Sequence, residues 1–240
     1  MVMTEREEFF YSNLIIDEND KERAKKALKA KGVEKHILIK EKLLAWSQTE
    51  EIKYAEVAST YRYDKRIRNT LFKYISYLEE FYRSIILDNY IYNVKQRFWL
   101  KDFRELLENY EYNLNDALEH LDFSSLLFQC QKLPTEIRSL CCFPKSSYLS
   151  NNIKALRVLR NAVMHNKFLL LYRGFEECYV NGIDAGKGTS LKANILNLIQ
   201  FLPKEVGESC IKSINECKEN KNTDGDTAWE LPSQVIITLY

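Results

Sequence analysis

Tyr63-Asp64-Lys65-Arg66-Ile67-Arg68-Asn69-Thr70-Leu71-Phe72-Lys73-Tyr74-Ile75-Ser76-Tyr77-Leu78-Glu79-Glu80-Phe81-Tyr82-Arg83-Ser84-Ile85-Ile86 is the stretch that decides the fold class. Ile67, Leu71, Tyr74/Ile75, Leu78, Tyr82 and Ile85/Ile86 recur at intervals of three and four, which gathers them on one helical face. No Gly or Pro interrupts residues 62–94, so one long amphipathic helix is predicted there. The whole chain of 240 residues holds only 7 Gly and 4 Pro, too few for the many turns of a β protein. An all-α fold follows.

Working outward, residues 18–31 read as a polar helix that Gly32 stops, and 33–46 as a second helix. Residues 102–120 give an acidic helix ending at His120. Pro134 and Pro144 bracket a short helical stretch that includes Cys141 and Cys142. Ser150-Asn151-Asn152 offers cap chemistry for a helix from 152 to about 172, stopping near Gly174. Helices at 190–201 and 204–219 are divided by Pro203, and a β-prone tail at Gln234–Leu239 is either a lone strand or a docked extension. The expected organisation is an N-terminal helical layer (1–54), a helical domain (55–220) and a C-terminal tail (221–240).

Hydrophobic residues make up 45% and charged ones 29%, which predicts a sizeable core under a polar surface. The six cysteines show no Cys-x-x-Cys spacing and no zinc-like pairing with histidine, so reduced, buried thiols and no metal are expected. The N-terminus is charged where a signal peptide is apolar, and the longest apolar run, Phe168–Tyr172, is far too short to cross a bilayer. A soluble cytoplasmic protein with no membrane partner is expected.

Chemistry concentrates in Arg160-Asn161-Ala162-Val163-Met164-His165. An arginine fork grips phosphate, and histidine is the side chain whose ordinary pKa lets it exchange protons near neutrality. On a wheel at about 100° per residue, Lys154, Arg157, Arg160, Asn161, His165 and Lys167 share the polar arc, with Ile153, Met164 and Phe168 among them. Asn161 and His165 share a face, while Arg160 lies about 140° from His165. One copy is therefore a poorly aligned half-site that a second copy could complete. From Ile137 to Phe175 there is no Asp or Glu but seven Lys or Arg; a net charge of +1 for the chain leaves −6 for the remainder. A basic segment in an acidic protein suits a polyanion such as RNA.

Arg160-Asn161-x-x-x-His165 resembles the Arg-x(4–6)-His signature of HEPN domains, in the Arg-Asn-x-x-x-His form of Abi-like abortive-infection proteins. Asp64-x-x-x-Arg68 and Glu79-x-x-x-Arg83 resemble the paired spacing of the first long Abi-like helix. Many Abi-like proteins read Arg-Asn-x-x-Ala-His-His, whereas here Met164 precedes the histidine and Asn166 follows it. The similarity spans residues 55–200. It implies an up-and-down helical bundle of HEPN type, with extra N-terminal helices and a C-terminal extension. It further implies a homodimer with a composite site, and metal- and cofactor-independent RNA cleavage by the RNA's own 2′-OH, in a toxin–antitoxin or phage-defence role with an antitoxin or other neutralising partner. Under this resemblance Arg160, Asn161 and His165 are catalytic, Lys154, Arg157 and Lys167 contact RNA, and Glu79 and Arg83 support the site.

Plainer readings stand beside these. Glu79 and Arg83 form an i,i+4 ion pair on spacing alone, and the three cations are equally ordinary surface charges. Gly186-Lys187-Gly188-Thr189-Ser190 lacks the spacing of a phosphate loop and reads as a loop ending in a helix cap. A non-catalytic dimeric domain that binds RNA or protein is the alternative function.

Overall fold

A computed structural model describes residues 4–90, 99–111, 113–180, 187–219 and 229–240. Eleven α-helices account for most of them: α1 (Glu5–Tyr11), α2 (Glu18–Lys31), α3 (Val33–Ser47), α4 (Tyr54–Tyr90), α5 (Lys101–Asn109), α6 (Leu114–Glu119), α7 (Phe123–Lys132), α8 (Thr135–Arg138), α9 (Leu149–Met164), α10 (Leu191–Phe201) and α11 (Lys204–Glu216). Strand is limited, among the described residues, to two pairs of two residues each. β1 (Leu14–Ile15) runs parallel to β2 (Ile52–Lys53), and β3 (Cys178–Tyr179) antiparallel to β4 (Lys187–Gly188). The fold is all-α.

Two compact units make up the chain: Met1–Arg68 with Ser213–Thr238 and Tyr240, and Asn69–Lys212 with Leu239. Their divisions fall inside α4 and α11.

In the first unit, Thr4 and Glu7 form a capping box that starts α1, a helix the periodicity argument did not anticipate. Lys40 of α3 ends it: the buried Nζ donates to the Phe9 carbonyl at 2.6 Å and the Ser12 carbonyl at 2.9 Å, and lies 4.7 Å from the centre of the Phe9 ring. Burial lowers the Lys40 pKa. His36 is buried between Phe10 and Tyr61, stacked on the latter at 5.1 Å, with Nδ1 2.8 Å from the Gly32 carbonyl. Desolvation lowers its pKa, outweighing the hydrogen bond to Gly32. The described tail, 229–240, has no strand and is the docked extension. Trp229 lies under the guanidinium groups of both Arg62 and Arg66, Glu230 N–H donates to Ser59 Oγ, and Ile237 N–H donates to the buried Tyr63 hydroxyl at 2.9 Å. Burial pushes the Tyr63 pKa up to about 12.

α4 carries the predicted amphipathic run; its expected extension over 91–94 lies outside the described residues. Within the second unit, Leu71, Tyr74, Ile75, Leu78, Tyr82, Ile85 and Ile86 are all buried. Tyr82 stacks on Phe143 at 5.4 Å, Phe143 meets Phe201 edge-on, and the Tyr82 hydroxyl donates to the Phe201 carbonyl. The acidic helix expected over 102–120 is two helices, because the chain turns at Glu111 with φ 51° before Asn113 caps α6. α8 closes at Arg138, ahead of Cys141 and Cys142. Ser190 caps α10 by accepting from Ala193 N–H, as a loop ending in a cap requires.

Candidate functional site

The site begins with the packing of α9. Ala155, Leu156, Leu159, Ala162 and Val163 are buried as the wheel predicts, and so is Ile153, which the wheel set among the polar residues. Asn151, Lys154, Arg157, Asn161 and His165 are exposed along the opposite face, and Lys167 is exposed just beyond it.

The helix ends at the motif itself rather than near Gly174. His165 is its C-cap, and Asn166 takes the left-handed conformation with φ 52°. Asn166 N–H donates to the Val163 carbonyl and Lys167 N–H to that of Ala162, which closes a Schellman turn. Asparagine visits that conformation more readily than most residues, so the apolar run after it turns away and forms only a 3-10 turn at Leu169–Leu171.

Arg160 has a partner that no local pattern shows. Its Nε–H donates to Glu79 Oε1 at 3.1 Å, and the other Glu79 oxygen lies 3.6 Å from Arg83 Nη2. Arg83 Nε–H also reaches the Leu118 carbonyl at 3.3 Å. The Glu79 side chain is 12% exposed and that of Arg160 31%. One carboxylate thus sits between guanidinium groups from two helices, and three of the expected site residues are brought together. Asn161 and His165 are exposed in the last turns, His165 about 140° round the helix axis from Arg160.

The acid-free window is not acid-free in space. Lys154 pairs with Glu176 at 3.2 Å. Arg157 faces Asp122, the N-cap of α7; burial works against that carboxylate, but hydrogen bonds from Ser125 and Ser124, helped by Arg157, outweigh it and lower its pKa. Glu79 and Asp122 come from other elements, where a window drawn along the chain could not find them, and Glu176 is the first residue past the window's end.

Sequence reasoning also missed what anchors the other end of α9. Ser150, Asn151 and Asn152, which offer cap chemistry in sequence, all lie inside a helix that begins at Leu149, and Asn152 is fully buried and bonded to β3: its Nδ2 donates to the Tyr179 carbonyl at 2.9 Å and its Oδ1 accepts from Tyr179 N–H at 2.8 Å. Asn197 of α10 donates to the Asn152 carbonyl, and Gln200 to that of Tyr179. These bonds satisfy buried backbone groups where α9, β3 and α10 meet. Tyr148, just before α9, stacks on Tyr179 with ring centres 3.8 Å apart. Burial raises the Cys178 thiol to about 11 and Cys130 well above its ordinary value, so neither of these is an activated thiol. Among the described residues, no group of three or more His, Cys, Asp or Glu is placed to hold a metal ion, and no helix is long and apolar enough to cross a membrane.

Compared with protein-family models, curated proteins and solved structures, the chain matches none.

Proposed function

We propose that this protein is a metal-independent endoribonuclease of HEPN/Abi-like type, cytoplasmic and dimeric, acting in a toxin–antitoxin or phage-defence role. The observation that carries the reading is the setting of the motif: Arg160 is held half-buried by Glu79 while Asn161 and His165 stand exposed at the end of the same helix. In this mechanism a 2′-OH attacks its neighbouring phosphorus, His165 moves the proton, Arg160 stabilises the developing phosphate charge and Asn161 orients the imidazole or the phosphate. A 2′,3′-cyclic phosphate forms, and DNA resists because it lacks the nucleophile. A second copy supplies the complementary half-site. Glu79 and Arg83 position Arg160, while Lys154, Arg157 and Lys167 contact the RNA backbone.

The test is cleavage of single-stranded RNA by purified protein in EDTA. His165→Ala should lower the rate by about 10²–10⁴-fold with the melting temperature unchanged. Equal cleavage by the variant overturns the reading. The salt bridge that already engages Arg160 favours one alternative, a non-catalytic dimer that binds RNA or protein through the same face. It predicts salt-sensitive binding without cyclic-phosphate product.

A further inference from the structure

We propose that the exposed face of α9 is a track for single-stranded RNA, with Tyr148 as a stacking platform for a base remote from the scissile phosphate. This rests on the ribonuclease reading above and adds a binding subsite to it.

Tyr148 sits immediately before the first turn of α9 and is 48% exposed. Tyr179 backs its ring almost in parallel, at an interplanar angle of 10°. Tyr179 is held at both ends: its backbone N–H and carbonyl are bonded to buried Asn152, and its hydroxyl donates to Glu177 Oε2 at 3.1 Å. The ring plane of Tyr148 is therefore set before any ligand arrives, and a flat aromatic surface of this kind accepts any base.

From that platform the exposed face runs through Asn151, Lys154, Arg157 and Asn161 to His165, at steps of three or four residues. Along a helix, Tyr148 to His165 is about 25 Å, roughly seven nucleotides at a stacked spacing of about 3.4 Å. No carboxylate lies on α9 itself. The acids beside the track are Glu176, paired with exposed Lys154, Asp122, which feels exposed Arg157 only electrostatically, and Glu177, which accepts from the Tyr179 hydroxyl; a phosphate can compete for both cations. The aromatic end thus gives sequence-tolerant grip, the cations follow the backbone, and the imidazole marks the point of cleavage.

The experiment uses the full chain carrying His165→Ala and a fluorescein-labelled 12-nucleotide single-stranded RNA, read by anisotropy. Tyr148→Ala should weaken binding roughly tenfold without changing the salt slope, and Tyr148→Phe should retain the parent affinity. In parallel, a 4-thiouridine version of the RNA should crosslink to the peptide carrying Tyr148 in the parent, whatever the stability of the alanine variant. Unchanged affinity together with crosslinks elsewhere overturns the track and leaves the ribonuclease reading standing. No RNA binding by the parent overturns both.

Discussion

Asp64–Arg68 and Glu79–Arg83 are the same device in sequence, a carboxylate four residues before an arginine on α4. They come to rest in different surroundings. Asp64 is fully buried and Arg68 only 11% exposed, at a separation of 3.2 Å. Glu79 and Arg83 are 3.6 Å apart and more open, and Glu79 divides its attention between Arg83 and Arg160. Burial turns the first pair into a structural commitment, since neither charge can return to water. The second pair is weak in itself and acquires meaning from the arginine it holds on another helix. Identical spacing therefore serves two purposes, and solvent access separates them.

The largest expected effect is at the buried pair. Asp64→Ala should cost about 3–5 kcal/mol in urea unfolding, because Arg68 is left charged and largely dry. A cost under about 1 kcal/mol would erase the distinction. At the open pair the readout should change from stability to the proposed activity: Glu79→Gln should shift stability by about 1 kcal/mol or less, yet reduce the proposed RNA cleavage about tenfold as Arg160 loses its anchor. A variant with full activity would reduce Glu79 to an ordinary surface charge.

Double-mutant cycles sharpen the contrast within the second cluster. Glu79 with Arg160, which share a hydrogen bond, should couple by about 0.5–1.5 kcal/mol. Glu79 with Arg83 should couple by about 0.5 kcal/mol or less. The smallest effect concerns pH. The His36 pKa is lowered in the folded state, so the unfolded chain binds the proton more readily. The stability this group contributes is complete above the unfolded value of about 6.5 and is lost as pH falls through the lower folded value. Denaturant midpoints measured from pH 7.5 down to 5 should fall more in the parent than in His36→Phe.

How much of this could be read in advance depended on distance along the chain. Every apolar position picked out on α4 is buried, because periodicity reports directly on which face meets the core. α9 was overextended because Phe168–Leu171 continue the apolar pattern, while a single asparagine at 166 turns the backbone. α1 was overlooked although Thr4-x-x-Glu7 announces it. The polar face of α9 was legible in the same way as the core of α4. Its partners were not: Glu79 lies 81 residues from Arg160, and nothing local to either foretells that they meet.

Lys40 carries a consequence for measurement. Its amine is shut away while α1 is seated on α3, whereas Lys26 and Lys29 are open to solvent. An acylating reagent reaches it when α1 lifts and frees the amine from the Phe9 and Ser12 carbonyls, so the lag of Lys40 behind those two, followed by mass spectrometry, reports how often that helix opens. The protein thus carries its own gauge of one local opening free energy, with no dye or isotope added.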